Sequence, residues 1–444
     1  MRAHQTSNYP GLLLYRVILW LLLPFVLLRL WWRGRRDPTY RPRWQERLGF
    51  YAKPVTRGAV WFHTVSAGET IAAAPTIRAI AKGGNPNNGS SPVLVTTMTP
   101  TGSEQVAALL GDTVAHCYAP YDFTFAVRRF LTQAEPQALI LMETEIWPNL
   151  ILEAKARGIP VLLVNARLSE KSAQGYQRLR WLSGRVLKCF DVIACQTAEH
   201  AQRFIELGVN ADRVQALGNV KYDLDLPTDL KERAADLAQA SQRYWIAAST
   251  HPGEEEVVLQ AHLAALESDS SLTLLLAPRH PNRAAELVSL LNRATHSTPI
   301  SWCRYGDWRE QTTPASNDCR IVLIDEMGVL MPLFWLSEVA FIGGSLVPRG
   351  GHNPIEPASL GTPVLTGPHD FNFSQVYADL KAANGCREVS EASLTSVLVA
   401  LLKDPESRAA MGTAAGEVVA ANKGAGQRTQ DLITQVLTKQ PLVG

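Results

Sequence analysis

The chain has 444 residues, enough for two or three domains, and 46% of them are hydrophobic, which excludes a disordered or low-complexity protein. The formal net charge is only +2, which excludes a protein that binds nucleic acid through its overall charge. The six cysteines are scattered and form no C-x-x-C pair, so their spacing predicts neither a zinc site nor a disulfide framework and indicates a reducing compartment.

An apolar segment opens the chain. Residues 11–32 are apolar except for Arg16 and Arg29, and the unbroken run from Val17 to Leu28 is shorter than the roughly 20 residues that a spanning helix needs. We predict a membrane anchor, which is either a short span or a helix lying in the membrane plane. The arginines that follow it should face the cytoplasm and anionic headgroups: Arg33, Arg35, Arg36, Arg41, Arg43 and Arg47. Deletion of residues 1–32 is expected to leave the remainder folded.

Short apolar runs then alternate with helical patterns, which predicts parallel sheets covered on both faces. The fold class is therefore α/β, with two Rossmann-like, doubly wound domains facing a cleft and an N-terminal anchor helix. The predicted strands are residues 60–63, 93–97, 138–142, 161–164, 192–195, 245–249, 272–276, 321–324, 339–342 and 363–366. The predicted divisions are an anchor with a basic segment (1–48), a first domain (49–222), a linker (223–243) and a second domain (244–444).

In the first domain, chemically reactive side chains follow the predicted strands. Glu69 belongs to an S-x-x-E pattern, so it is either the acid of a capping box around Ser66 or a general base, and the two roles are compatible. Glu143 and Glu145 are two residues apart, so only one of them is expected to face a substrate. Lys221 can offset the charge of a leaving group, although a lone surface lysine fits the same position.

In the second domain, a glycine-rich loop from Gly343 to Glu356 follows a predicted strand. Asn353 is a predicted helix cap, Pro354 fits the first helical position, and Glu356 lies three residues after the cap. Backbone N–H groups of such a loop form an anion site, and we favour a bound phosphate over a ligand-free turn. Arg279 also follows a strand and suits phosphate, and no group of residues has metal-ligand spacing.

Taken in order, these motifs resemble those of the bacterial 3-deoxy-D-manno-octulosonic acid (Kdo) transferase family. The resemblance covers nearly the whole chain, and the ordered set is specific although each motif alone is weak. Its motifs are the anchor with its basic residues and residues 63–70, 96–103, 142–149, 165–169, 278–281 and 343–356.

The resemblance implies a GT-B glycosyltransferase that needs no metal or other cofactor. It implies inverting transfer of Kdo from CMP-Kdo to a lipid A precursor (lipid IVA) at the cytoplasmic face of the bacterial inner membrane, with membrane lipids but no nucleic acid as further partners. It implies Glu69 as catalytic base, with Glu143 and Lys221 as transition-state stabilisers. The implied contacts to the CMP half are Pro278, Arg279, Met327, Gly328, Val329, Asn353, Pro354, Ile355 and Glu356. Val329 departs from the polar residue expected there, so only its backbone is expected to contribute.

Two other classes of protein are compatible with the motifs. One is a GT-B-like enzyme that acts on another nucleotide sugar, such as an epimerase, although an epimerase would not need the anchor. The other is a membrane-tethered nucleotide-binding protein without activity, which replacement of Glu69 or Glu143 would favour; both are present.

Overall fold

The computed structural model describes residues 10–83, 92–224, 226–239, 242–296, 300–310 and 319–438. The chain divides into two compact units. Unit 1 comprises Met1–Asp223 and Lys423–Gly444, and unit 2 comprises Leu224–Asn422. Each unit is built on one parallel seven-stranded sheet, which confirms the predicted α/β class.

The sheet of unit 1 has the strand order β3-β2-β1-β4-β5-β6-β7. Its strands are β1 (Val60–His63), β2 (Val93–Thr97), β3 (Ala115–Tyr118), β4 (Ala138–Met142), β5 (Val161–Ala166), β6 (Val192–Cys195) and β7 (Val214–Ala216). Its helices are α1 (Pro10–Arg36), α2 (Ala67–Gly83), α3 (Pro100–Leu110), α4 (Thr124–Ala134), α5 (Pro148–Ala156), α6 (Glu170–Arg178), α7 (Arg180–Leu187), α8 (Ala198–Glu206) and α18 (Ala425–Thr438).

The sheet of unit 2 has the strand order β10-β11-β9-β8-β12-β13-β14. Its strands are β8 (Arg243–Thr250), β9 (Leu272–Pro278), β10 (Trp302–Arg304), β11 (Ile321–Leu323), β12 (Ala340–Ile342), β13 (Val364–Thr366) and β14 (Cys386–Glu388). Its helices are α9 (Leu230–Leu237), α10 (Glu255–Leu266), α11 (Ala284–Thr295), α12 (Tyr305–Glu310), α13 (Leu330–Leu336), α14 (Ile355–Ser359), α15 (Ser374–Ala382), α16 (Leu394–Lys403) and α17 (Pro405–Asn422). A disulfide joins Cys303 to Cys319, a pairing that the cysteine spacing did not predict.

The central strands are short apolar runs because helices cover both faces of each sheet. Every residue of β1 and β4 is buried. These two strands pair in parallel, with Val60 opposite Ala138 and His63 opposite Leu141. Their carboxyl ends therefore lie side by side, and the loops that follow them begin at the same edge of the sheet.

The predicted second domain, residues 244–444, is wrong at its carboxyl end, because the chain returns to unit 1 after Asn422. Asp223 holds the return: one carboxylate oxygen accepts the Gly424 N–H at 2.5 Å, and the other accepts the Gly426 N–H. The buried face of α18 joins the core of unit 1 through residues such as Ile433. An amphipathic helix pattern predicts a buried face but not the sheet that covers it. The predicted linker is also not a plain connection, since it contains α9; residues 225, 240 and 241 lie outside the described residues.

Residues 10–48, the described part of the predicted separate segment 1–48, also pack as part of unit 1. Leu12 of α1 is 2% exposed and belongs to the hydrophobic core cluster of that unit. Two of the arginines predicted to face lipid have partners within the protein. Arg47 is 1% exposed and donates to the Met98 carbonyl, and Arg43 pairs with Glu46. Arg47 therefore does not belong to a basic surface that faces lipid, contrary to the prediction, whereas the Arg43 side chain remains exposed. Deletion of residues 1–32 would remove the buried side chains of Leu12 and Leu30, so the structure leads us to expect that it destabilises unit 1.

Candidate active site

Glu69 is at the start of α2, directly after the carboxyl end of β1. Its side chain is enclosed, with 8% exposure, and one carboxylate oxygen accepts the Val65 N–H at 2.8 Å. The other oxygen accepts the Ser66 hydroxyl at 2.9 Å, and the Ser66 oxygen accepts the Glu69 N–H at 3.4 Å. Glu69 therefore has a capping role, although the backbone N–H that it holds is that of Val65 rather than Ser66.

The surroundings of Glu69 also suit a proton acceptor. Burial raises the pKa of Glu69 to about 8; the Val65 N–H opposes this shift, and the negative charges of Glu143 and Glu145 add to it. A carboxylate with a raised pKa binds a proton more strongly than an ordinary glutamate does, which is what a general base requires. Because the cap leaves the carboxylate buried beside two other acids, capping and base chemistry are compatible here.

Glu143 follows β4, and Lys221 lies in the short 3₁₀ helix Val220–Tyr222 that follows β7. The structure brings them together: the Lys221 Nζ is 2.7 Å from a carboxylate oxygen of Glu143, and the two side chains retain 20% and 22% exposure. Glu143 adopts the left-handed backbone conformation, with a φ of 56°. This conformation is unfavourable for a glutamate, and such residues concentrate at functional sites.

Neighbouring loops hold this conformation in place. The Glu143 N–H donates to the Val164 carbonyl at 3.0 Å, and the Thr144 hydroxyl donates to the Arg167 carbonyl at 2.6 Å. Asn165, which is 1% exposed and also has a positive φ, accepts the Val220 N–H beside Lys221. The polar residues predicted at the end of β5 therefore support the site by fixing the loops that carry Glu143 and Lys221.

Glu145 takes a different partner from Glu143, as the spacing of two residues predicts. Its carboxylate accepts the indole N–H of Trp147 at 2.6 Å. The edge of the Trp147 ring meets the ring of His63, with their centroids 5.9 Å apart. Burial lowers the pKa of His63 to about 4, so this histidine is neutral near pH 7. Glu145 therefore orders the loop, which leaves Glu143 as the better candidate for contact with a substrate.

In unit 2, the predicted donor-binding segments lie at one edge of the sheet. Pro278 and Arg279 follow β9, residues 327–329 follow β11, and the glycine-rich loop follows β12. Strands β11, β9, β8 and β12 are consecutive in the sheet and parallel, so these segments share its carboxyl edge. This is where open α/β sheets bind ligands. Met327 is 70% exposed there, and Gly328 has a φ of 79° and precedes α13.

The helix predicted to follow Asn353 begins one residue later than expected, because Pro354 is its N-cap and Ile355 is its first residue. The Asn353 side-chain oxygen still accepts the Ile355 N–H at 3.0 Å, and the Asn353 amide donates to the Glu356 carboxylate at 3.2 Å. Burial raises the pKa of Glu356. The helix that begins here, α14, has only five residues, so its dipole contributes less than a long helix would. Pro354 and Ile355 are buried below this turn and contribute backbone rather than side chains.

The glycine-rich loop does not form the free anion site that was predicted for it. Its amide N–H groups at Gly344, Ser345 and Leu346 already donate to the carboxylate of Glu254, at 2.7, 3.0 and 2.9 Å. Glu254 is fully buried and also accepts the His251 N–H at 2.9 Å. An internal carboxylate thus occupies the place that was predicted for phosphate. Sequence reasoning missed Glu254 because it is 90 residues away from the loop that it holds.

A basic cluster beside that loop offers the alternative anion site. The Nε2 atoms of His251 and His352 are 2.9 Å apart, and their rings stack with centroids separated by 5.1 Å. The pKa of both histidines is lowered to about 4, mainly by burial and then by nearby positive charge, which is first that of Arg349 for His251 and that of Arg279 for His352. His251, Arg279, His280 and His352 form this basic cluster. Its positive field comes from Arg279 and neighbouring arginines, because His251 and His352, with pKa values of about 4, are neutral near pH 7. Arg279 is the only member of this cluster that the sequence predicted as a phosphate ligand.

Solved structures resemble the chain in fold. A UDP-GlcNAc 2-epimerase from Neisseria meningitidis matches with a TM-score of 0.54 at 16% identity, covering 86% of this chain and all of the other. A glycosyltransferase from Rickettsia africae matches with a TM-score of 0.51 at 11% identity, covering 87% of this chain and all of the other. At these identities the likeness concerns architecture alone.

Relatives by sequence are more informative. Residues 42–224 match the family model described as 3-deoxy-D-manno-octulosonic-acid transferase (kdotransferase). The chain is 37% identical to a 3-deoxy-D-manno-octulosonic acid transferase of Haemophilus influenzae, covering 96% of this chain and 98% of that protein. It is 34% identical to the Bordetella pertussis protein of the same name, covering 93% and 96%. The chain therefore belongs to the 3-deoxy-D-manno-octulosonic acid transferase family and is a glycosyltransferase.

Proposed function

We propose that the protein transfers Kdo from CMP-Kdo to a lipid A precursor at the cytoplasmic face of the bacterial inner membrane, with inversion at the anomeric carbon. The family membership supports the transferred sugar. The structural observation that carries the proposal is the grouping of buried Glu69 with the Glu143–Lys221 ion pair, whose nitrogen and oxygen are 2.7 Å apart. The three residues come from separate segments of unit 1, which follow β1, β4 and β7.

In the proposed reaction, Glu69 accepts the proton of an acceptor hydroxyl as that oxygen bonds to the anomeric carbon of Kdo. The bond from this carbon to the CMP phosphate oxygen breaks, and CMP leaves with the bonding electrons. A sugar hydroxyl is a poor nucleophile, so proton removal in the transition state lowers the barrier. The raised pKa of Glu69, about 8, makes it a stronger base than an ordinary carboxylate.

Glu143 is proposed to stabilise the oxocarbenium-like transition state, because a fixed negative charge lowers the energy of a developing cation. Lys221 holds the Glu143 carboxylate in one orientation through the 2.7 Å ion pair. The lysine was expected to offset leaving-group charge directly. Its contact with Glu143 favours a positioning role.

On the donor side, we propose that the phosphate of CMP-Kdo binds to Arg279 and the stacked histidines rather than to the glycine-rich amides. Glu254 already uses those amides, whereas Arg279 offers forked donors and the histidines lie beside it. Glu356, held by Asn353, is proposed to accept hydrogen bonds from ribose hydroxyls. Residues 327–329 are proposed to contact the base through their backbone.

Chelation of divalent metal is expected to leave the rate unchanged. Arg279, together with the two histidines whose protonation the bound phosphate favours, supplies positive charge for one leaving phosphate, so the proposal requires no metal ion or other cofactor. The measurement is turnover on detergent-dispersed acceptor with and without a chelator. Loss of activity on chelation, with recovery on adding magnesium, would overturn this account of the leaving group.

We expect CMP to bind more tightly as the pH falls from 7 to 5. The gain in affinity is up to about tenfold for each pKa unit by which the bound phosphate raises the pKa of a histidine. The free histidines have pKa values of about 4, and a bound phosphate favours their protonated forms, so binding takes up protons. Calorimetry in buffers of different ionisation enthalpy measures this uptake. H352Q is the control, because the titration of CMP itself is common to both proteins; equal proton uptake by both would exclude the histidines.

The decisive test of the proposed function uses the purified full-length chain with CMP-Kdo and a lipid A precursor. A lipid product heavier by Kdo units supports it, and the mass gives the number of units added. Conversion of a nucleotide sugar without any lipid product would favour the epimerase-like alternative. Binding of CMP with no conversion would favour the inactive nucleotide-binding alternative.

A further inference from the structure

We propose that α1 lies in the plane of the membrane as a packed part of unit 1, with its outer face immersed in an anionic lipid surface, and does not cross the bilayer. By length and composition alone, Gly11–Arg35 is long and apolar enough to span. The inference rests on the membrane attachment within the proposed function and is independent of the transfer chemistry.

Both ends of α1 contact unit 1. At its start, a Cβ added to Gly11 would approach the Trp181 ring of α7 to 2.1 Å, and Leu12 is 2% exposed. Near its end, Leu30 is 9% exposed. The segment from residue 11 to residue 34 is about 35 Å long, which is close to the thickness of a bilayer core. A spanning helix would place its first turn across the membrane, away from the helix that Gly11 touches.

A polar latch holds the first half of α1, formed by Tyr15, Arg16, Asp122, Asn149 and Glu153. The Tyr15 hydroxyl donates to Asp122 at 2.8 Å, and the Arg16 Nε donates to the side-chain oxygen of Asn149 at 2.8 Å. The Arg16 guanidinium is also 3.6 Å from the Glu153 carboxylate. Moving α1 into a spanning position would separate these partners and leave a buried carboxylate and a guanidinium without them, which is unfavourable.

The opposite face of α1 is apolar and largely exposed. Among the described residues, twenty large apolar side chains are exposed, and eleven of them belong to this one helix. Leu21 and Phe25 are the most exposed of these, at 68% each, and Leu28 is 60% exposed. A patch of this kind on a helix with a polar latch on its inner face is typical of a monotopic membrane helix.

Charge and shape identify lipid as the occupant. α1 has no acidic residue, and Arg29 and Arg35 are exposed near its end. A cleft of about 680 Å³ between this end and the following 3₁₀ turns is lined by Leu27 and Trp31 on its apolar side and by Arg35 and Arg41. Apolar walls beside guanidinium groups suit an acyl chain with a phosphate headgroup.

The latch also links the membrane helix to the loop that carries Glu143. Asp122 accepts the N–H groups of Asn149 and Leu150 at 2.9 and 2.7 Å, so the carboxylate that holds Tyr15 also caps α5. α5 begins at Pro148, directly after the Glu143–Trp147 loop. An in-plane α1 therefore sets the height of that loop above the lipid surface.

Cross-linking tests whether the docked arrangement exists in the membrane. The rings of Trp20 and Phe125 are 5.6 Å apart, so the W20C/F125C chain should be joined by a short bis-maleimide in inner-membrane vesicles. The L21C/F125C pair is the matched control, because Leu21 lies on the outer face, and it should remain largely unjoined. Equal joining of both pairs, or of neither, would contradict the docked helix.

Topology labelling gives an independent answer. In the S7C chain, a membrane-impermeant maleimide should modify the new cysteine only after spheroplasts are lysed, since an in-plane helix keeps its start on the cytoplasmic side. Labelling of intact spheroplasts would show a spanning helix and overturn the proposal.

Sedimentation with vesicles tests the outer face of α1. The L21E/F25E chain should remain folded and become soluble, and continued sedimentation of that variant with anionic vesicles would contradict the proposal that this face binds lipid. None of these readouts requires activity, so failure of the proposed reaction would be seen separately.

Discussion

Replacement of Glu69 by glutamine is expected to lower turnover by about a hundredfold or more while unit 1 remains folded. Glutamine retains an oxygen that accepts the Val65 N–H, the bond that Glu69 makes at 2.8 Å, so the start of α2 keeps its cap. It cannot take up the proton of the acceptor hydroxyl. The measurement is kcat for Kdo transfer with both substrates saturating, and the loss should appear in kcat more than in either KM.

The pH dependence of the two proteins separates base chemistry from capping. The pKa of Glu69 is raised from 4.5 to about 8 in the folded chain, so the native state binds the extra proton within this range. The free energy of unfolding of the wild type therefore falls as the pH rises from about 4.5 to about 8, and E69Q should lack this contribution. The wild-type rate should rise with pH through the same pKa, because the base must be ionised.

A matched control is E104Q, which removes an exposed glutamate from α3 and should change neither turnover nor the pH profile. If E69Q retained nearly wild-type turnover, Glu69 would be a capping residue and the base would have to be sought elsewhere. If E69Q unfolded at pH 8, the cap would depend on the ionised carboxylate. The structure predicts the reverse, that is, a variant at least as stable as the wild type at that pH.

The central strands could be predicted from the sequence, and the edge strands could not. All ten predicted strands are present, and the four that were missed are β3 and β7 in unit 1 and β10 and β14 in unit 2. These are the outermost strands of the two sheets. Each has three or four residues; β3 and β14 are buried only in part, and β7 and β10 have no buried residue. None of them therefore forms the continuous apolar run that marks a strand covered on both faces.

The candidate site, like the fold, could be predicted from the sequence only in part. Polar residues after strands could be selected from the sequence, because parallel strands present their carboxyl ends at one edge. Contacts between distant loops could not be predicted from the sequence, and these contacts determine the role of each polar residue in the site. The ion pair of Glu143 with Lys221 joins residues 78 positions apart, and Glu254 holds a loop 90 positions later.

Replacement of Glu254 by glutamine is expected to destabilise unit 2 by about 3 kcal/mol and to weaken CMP binding. The Glu254 carboxylate accepts four backbone N–H groups, three of them from the loop at Gly344–Leu346. Glutamine has a single acceptor oxygen, and its NH₂ group would face N–H groups that also donate. At least one amide would stay buried without a partner, which costs most of the lost stability.

We expect the weaker CMP binding of E254Q to result from displacement of the glycine-rich loop and not from loss of the Glu254 charge alone. Gly343 lies against β8, where a Cβ would approach the Ser249 carbonyl oxygen to 2.6 Å, so the loop keeps its position only while this close packing persists. If Glu254 no longer fixes the following amides, His352 loses its place beside His251 and the basic cluster disperses. E256Q is the matched control, since Glu256 is exposed in the first turn of α10, the helix that Glu254 precedes, and its replacement should leave both the midpoint of denaturation and CMP affinity unchanged. A destabilised E254Q that still binds CMP as tightly as the wild type would mean that Glu254 supports the fold but not the donor site.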